Sequence, residues 1–231
     1  MQRQSNPSGP DERTIIVSAG TVNLEGTLSI PAGASGIVLF AHGSGSSRFS
    51  PRNRFVAGVL QEGGIGTLLI DLLTREEEAA DAYTGHLRFD IDFLATRLIG
   101  ATEWLRADPA TRALKIGYFG ASTGAGAALV AAAAQPAWVS AIVSRGGRPD
   151  LAGPALTHVL APTLLIVGGH DFPVIDMNRA ALRQLACEKH LEIVPGATHL
   201  FEEPGTLEAV AELARAWFGR YLGAAASTRV A

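Results

Sequence analysis

Cysteine is nearly absent from the chain. Cys187 is alone among 231 residues, so no intramolecular disulfide can form and nothing calls for an oxidising compartment. Neither sign of charge dominates: 19 Lys and Arg against 22 Asp and Glu leave a net charge of −3, which gives no electrostatic reason to expect nucleic acid as a partner. Long apolar runs are missing too. The longest, from Ala125 to Ala134, is Ala-rich and far short of the ~20 residues a bilayer span needs, so no membrane partner is expected. The first fourteen residues (MQRQSNPSGPDERT) are polar, without the apolar stretch of a secretory leader, and a cytoplasmic location is the expectation. No HExxH, CxxC or EF-hand pattern occurs, so neither a metal nor a cofactor is expected.

What is present is a core. Hydrophobic residues make up 47% of the chain, and a fold of this size buries ~70–75% of the surface its unfolded chain exposes. The length suits one domain, expected over residues 13–222 between polar tails at 1–12 and 223–231. Short β-branched or apolar runs alternate with longer helical patterns. The runs are Thr14–Ser18, Leu24–Ile30, Gly36–Ala41, Gly66–Leu72, Leu114–Phe119, Val139–Ser144, Thr163–Val167 and His190–Val194. From the third onward they are almost continuously apolar, as parallel strands covered on both faces must be. The first two alternate in pattern and predict an antiparallel edge. Helices are predicted over Asn53–Glu62, Leu87–Ala107, Thr123–Ala134, Ile175–Ala186 and Thr206–Tyr221, with Thr74–Gly85 left as an acidic loop. This alternation predicts a doubly wound, mostly parallel eight-stranded sheet flanked by helices. Ligands in such sheets lie beyond the carboxyl ends of the strands.

The fifth strand ends in Gly120-Ala121-Ser122-Thr123-Gly124, the only G-x-S-x-G in the chain. It sits between an apolar strand and a small-residue helix, the setting in which this motif holds a serine hydroxyl above the sheet on a sharp turn. A serine hydroxyl is a poor nucleophile until a base takes its proton, and the base needs an acid to orient it. The seventh strand ends in Gly168-Gly169-His170-Asp171 and the eighth is followed by Gly196-Ala197-Thr198-His199. The chain order Ser122, Asp171, His199 is nucleophile, acid, base, each beyond a different strand. Asp176, five residues further on, is the rival acid. Of the other histidines, His42 sits in the glycine loop, where it is placed to brace it, and His170 adjoins the acid; only His199 follows the last strand. The third strand runs into His42-Gly43-Ser44-Gly45, which fits neither a dinucleotide fingerprint nor a phosphate loop. Beside the serine it becomes the source of an oxyanion donor: the Ser44 N–H, with Gly43 the alternative, paired with the Thr123 N–H. Glu76–Glu78 could wall the substrate mouth or simply be solvated. Arg145 and Arg148 could meet an anionic substrate or brace the backbone.

Taken together, the glycine loop, the GASTG elbow, the GGHD turn and the ATH turn resemble the α/β-hydrolase superfamily from Thr14 to Tyr221. Within it, HGSGSSRFSPRN and SRGGRPDLA are similar to the dienelactone hydrolase-like proteins, some of which occur fused to phosphoribosyltransferases; no such domain is expected here. Two positions depart from that family: Ser122 stands for its cysteine nucleophile, and His42 for its glutamate. Both departures point to serine-ester chemistry. Arg145–Pro162, between the sixth and seventh strands, is too short for a cap domain. The resemblance implies a capless hydrolase of small carboxylic esters, short-chain or compact aryl, working through an acyl-enzyme. Acyl thioesters and lactones are alternatives, as is a ligand-binding relative with negligible turnover.

Overall fold

A computed structural model describes residues 12–223. The expected tails fall outside them, except Glu12, which opens the first strand, and Gly223, which caps the last helix. Eight strands form one sheet: β1 (Glu12–Ala19), β2 (Val22–Ser29), β3 (Gly36–Ala41), β4 (Gly66–Ile70), β5 (Lys115–Ala121), β6 (Val139–Arg145), β7 (Thr163–Gly168) and β8 (Lys189–Val194). Their order is β1-β2-β4-β3-β5-β6-β7-β8. β2 pairs antiparallel with both β1 and β4, and every pairing from β4 through β8 is parallel. This is the doubly wound, α/β-hydrolase arrangement that the strand patterns predict.

Six α-helices cover the sheet: α1 (Pro51–Glu62), α2 (Arg75–Thr84), α3 (Ile91–Ala107), α4 (Thr123–Ala134), α5 (Phe172–Gln184) and α6 (Thr206–Leu222). Alternate side chains of the central strands feed two separate cores. Val38, Phe40, Phe119 and Val143 pack with Val56 and Leu60 of α1 and Val210 and Phe218 of α6. Leu39, Tyr118 and Ile142 pack on the other face with Leu98 and Leu105 of α3 and Leu129 of α4. Burial on both faces is what makes these strands read as unbroken apolar runs.

Three helical expectations need correction. Thr74–Gly85 is not a loop but helix α2. The Thr74 hydroxyl accepts from the Glu77 N–H at 3.2 Å while the Glu77 carboxylate accepts from the Thr74 N–H at 2.8 Å, a capping box. Gly85 ends the helix in the left-handed conformation (φ 64°). Only Asp81 of this helix is buried, so the hydrophobic pattern is silent about it. The helix expected from Leu87 is split, because Asp90 accepts from the Phe93 N–H at 3.0 Å and starts α3 there, leaving Leu87–Phe89 as a separate 3₁₀ turn. Finally, α5 begins at Phe172 rather than Ile175, with Pro173 in its first turn, where a missing N–H costs nothing.

Between β6 and β7 the chain makes only a 3₁₀ segment, Pro149–His158, broken at Gly153, and there is no cap domain. Among the described residues no helix is long and apolar enough to cross a membrane.

Candidate active site

Strand order reverses around β3, which lies between β4 and β5, with Ala41 of β3 opposite Gly120 of β5. The loops leaving β3 and β5 therefore open side by side at the switch point where such sheets bind ligands.

Ser122 follows β5 with φ 51° and ψ −124°, a strained conformation for any residue but glycine, costing on the order of 1–3 kcal/mol. Three backbone bonds hold it: the Arg148 and Ala125 N–H groups donate to the Ser122 carbonyl at 3.0 and 3.1 Å, and the Ser122 N–H donates to the Arg145 carbonyl at 3.4 Å. The turn also needs its glycines. A Cβ on Gly124 would stand 2.5 Å from the His42 carbonyl oxygen, so only glycine lets α4 approach the end of β3. On the opposite side a Cβ on Gly43 would lie 3.0 Å from Ser122 Cβ, which brings the β3 loop against the serine.

Ser122 occupies the N-cap position of α4, and Asp171 that of α5, yet neither side chain caps its helix. Serine and aspartate are strong N-caps, each contributing ~1 kcal/mol. Asp171 forgoes that bond for another: His199 Nδ1–H donates to its Oδ2 at 2.6 Å. The carboxylate is largely buried, while the imidazole is 39% exposed. A proton held on Nδ1 leaves Nε2 free as a base. Asp176, the rival acid, is exposed on α5 and pairs with Arg179 at 3.5 Å.

The His199 loop is fastened on both sides. Thr198 donates its N–H (3.0 Å) and its hydroxyl (2.6 Å) to the Glu203 carboxylate, and these bonds hold that carboxyl below its ordinary pKa. Phe201 is buried with φ 56°, a second left-handed non-glycine residue, two positions from the histidine. Glu203 and Phe201 belong to no motif, so the sequence does not single them out.

His42 braces the β3 loop. The Leu72 N–H donates to its Nε2 at 3.1 Å, and its Nδ1–H donates to the Gly43 carbonyl at 2.9 Å. Accepting at Nε2 requires a neutral ring, and burial pushes the imidazole pKa down, in keeping with that. Farther along the loop, buried Arg48 pairs with Glu25 at 2.6 Å and with Asp71. Ser44, the expected oxyanion donor, already has a partner: its N–H donates to Thr123 Oγ1 at 2.9 Å.

The two arginines at and beyond the end of β6 are engaged elsewhere. Arg148 pairs with Asp150 at 2.7 Å. Arg145 is buried and donates from Nη2 to Asn53 Oδ1 at 3.1 Å; burial, with Arg52 nearby, lowers its pKa to about 10. Beside the β3 loop lies a small cleft walled by His42–Ser46, Leu72, Leu73 and Leu94, with Glu78 of α2 and Arg88 among its lining residues. Among the described residues no group of three or more His, Cys, Asp or Glu side chains could hold a metal ion.

Known proteins share this framework. The model of the "Dienelactone hydrolase family" matches residues 24–222. A crystal structure of a dienelactone hydrolase from Anabaena variabilis is 66% identical and superposes with a TM-score of 0.92, covering 93% of this chain and all of that one. The esterase Est1E of Butyrivibrio proteoclasticus shares the fold at 15% identity and a TM-score of 0.74, covering 90% of this chain and 98% of that one. A Mycobacterium tuberculosis protein called "Putative phosphoribosyl transferase" is 58% identical over 214 residues, which are 93% of this chain but 47% of that protein. The chain thus spans about half the length of the curated relatives it matches. With the family pattern running from β2 to the end of α6, the chain belongs to the dienelactone hydrolase family of α/β-hydrolases.

Proposed function

We propose that this hydrolase cleaves carboxylic esters through an acyl-enzyme formed on Ser122. One observation carries the reading: the Asp171–His199 hydrogen bond of 2.6 Å lies beyond the strand ends that also present Ser122, on a strained turn with its hydroxyl capping nothing. His199 Nε2 takes the Ser122 proton as Oγ attacks the ester carbonyl, and Asp171 holds the imidazole tautomer and stabilises the imidazolium. The tetrahedral oxyanion is received at the N-terminus of α4, by the Thr123 N–H and a second donor on the Ser44 side. The imidazolium then protonates the leaving alcohol, and the same histidine activates the water that frees the acid. No hydrogen bond joins Ser122 to His199 among the described residues; such bonds commonly tighten only once substrate binds.

The cleft beside the β3 loop supports a compact substrate. Three leucines line it, and with only a short 3₁₀ segment between β6 and β7 a short acyl chain or a single ring suits it better than a long chain. Lactones are cyclic esters open to the same attack, and the name of the Anabaena variabilis relative favours including them. The test is turnover of an ester, thioester and lactone panel by the wild type and by Ser122→Ala. Ester or lactone hydrolysis lost in the variant is the expected result. Hydrolysis that survives in Ser122→Ala, or is absent from the wild type across the panel, contradicts the proposal.

A further inference from the structure

Oxyanion holes in acyl transfer need two converging donors at the position where negative charge develops. The Thr123 N–H, next after the nucleophile, is one. The backbone N–H of Ser44, from the neighbouring loop, is the expected second. Here that N–H points at Thr123 Oγ1, 2.9 Å away. Thr123 is the first residue of α4 and only 5% exposed. A hydroxyl carries one proton and two lone pairs. Ser44 occupies one lone pair, and among the described residues no acceptor takes the proton. A nearly buried donor without an acceptor therefore stands beside the nucleophile.

We propose, resting on the ester-hydrolase reading, that the second oxyanion donor is the Thr123 hydroxyl, aimed by the Ser44 N–H. Thr123 then supplies both donors, N–H and Oγ1–H, from a single residue at the start of α4, and Ser44 is a positioning residue. The hydrogen bond Ser44 N–H to Oγ1 polarises the hydroxyl in the direction that favours donation, since a hydroxyl that accepts a bond donates more strongly. When Ser122 Oγ attacks, the carbonyl π electrons move onto oxygen and the Oγ1–H bond points at that charge; no proton is transferred.

The alternative is that Thr123 Oγ1 merely occupies the Ser44 N–H at rest and turns away to release it. The two are separated by Thr123→Val, which keeps shape and backbone N–H while removing the hydroxyl. If the hydroxyl donates, kcat on a p-nitrophenyl ester falls by ~10²-fold, the usual effect of losing one oxyanion donor, while KM changes less than about threefold and Thr123→Ser stays within about tenfold of wild type. If it only blocks Ser44, kcat holds or rises in Thr123→Val, and the proposal is overturned. A thionoester series guards against a merely structural effect. Sulfur accepts hydrogen bonds weakly, so loss of a donor lowers the ester rate far more than the thionoester rate, whereas loosening of the loop lowers both alike and counts against the proposal. Should Thr123→Val not fold, Thr123→Ala serves with the same readouts. A wild type without ester turnover overturns both readings; turnover in the wild type that Thr123→Val retains overturns this one alone.

Discussion

At Ser122 and Asp171 the chain gives up local stability, which the proposed triad explains. Both residues stand at helix N-caps, both types cap well, and neither does so here. Ser122→Ala therefore leaves thermal stability within a few degrees of wild type, because no cap is lost, while kcat falls roughly 10⁴-fold as in other triad deletions. Asp171→Asn, which takes away the acceptor for His199 Nδ1–H, costs roughly 10³–10⁴-fold, whereas Asp176→Asn stays near wild type because its only partner is a surface arginine. The reverse order in steady-state assays would move the acid onto α5. His42 carries a pH prediction. Burial holds its pKa below the ordinary histidine value, so the unfolded chain takes up a proton at ~6.5 that the native protein does not. Stability is then full above that pH and declines as the pH falls below it. Melting temperatures of wild type and His42→Gln between pH 7.5 and 5 should show a steeper acid decline in the wild type; parallel curves would contradict this account of His42.

At the scale of elements, the strands were legible because burial on both faces leaves an unbroken apolar run, and the observed bounds of β3 match those expected. Helix α2 was not legible. Its ten residues bury only Asp81, so its existence rests on the Thr74–Glu77 capping box, a signal that the acidic composition masked. The candidate site was legible where a motif coincides with a strand end: Ser122, Asp171 and His199 lie beyond β5, β7 and β8, with Asp171 and His199 hydrogen-bonded. It was unreadable where it depended on side chains meeting across loops: the Ser44–Thr123 bond, the Thr198–Glu203 clasp and the buried Phe201 have no local pattern. The elbow's close packing gives a paired prediction. In Gly124→Ala the new Cβ meets backbone on the β3 side, 2.5 Å from the His42 carbonyl oxygen and 2.8 Å from the Ala41 carbonyl carbon, and backbone cannot swing aside as a side chain can. A cost of at least ~1–3 kcal/mol follows, a fall in Tm of several degrees for a chain of this length. Gly58→Ala, inside α1 with nothing near the new methyl, should instead stabilise by ~0.5–1 kcal/mol. Thermal melts of the two variants decide it; similar losses in both would show that close packing at the elbow is not the reason for Gly124.

For the whole molecule, the proposed ester hydrolysis combined with the missing cap predicts a narrow range of acyl chains. A cap would supply apolar walls for a long acyl chain, at ~0.8 kcal/mol per buried CH₂. Here helix α2 and the following 3₁₀ turn flank the cleft, and they contribute Glu78 and Arg88 to it rather than an apolar groove. kcat/KM on p-nitrophenyl esters should accordingly peak at short acyl chains and flatten or fall beyond a few carbons; a steady rise through long chains would reveal a groove that the cleft does not contain. Family membership and fold leave the central claim, that Ser122 is the acylated nucleophile, to one measurement. The protein is treated with a fluorophosphonate and then analysed by intact mass and peptide mapping, alongside Ser122→Ala. A single adduct on Ser122, with ester turnover lost in step with labelling and no adduct in the variant, is the predicted result. An adduct on another residue, or full ester turnover after Ser122 is blocked, would contradict it.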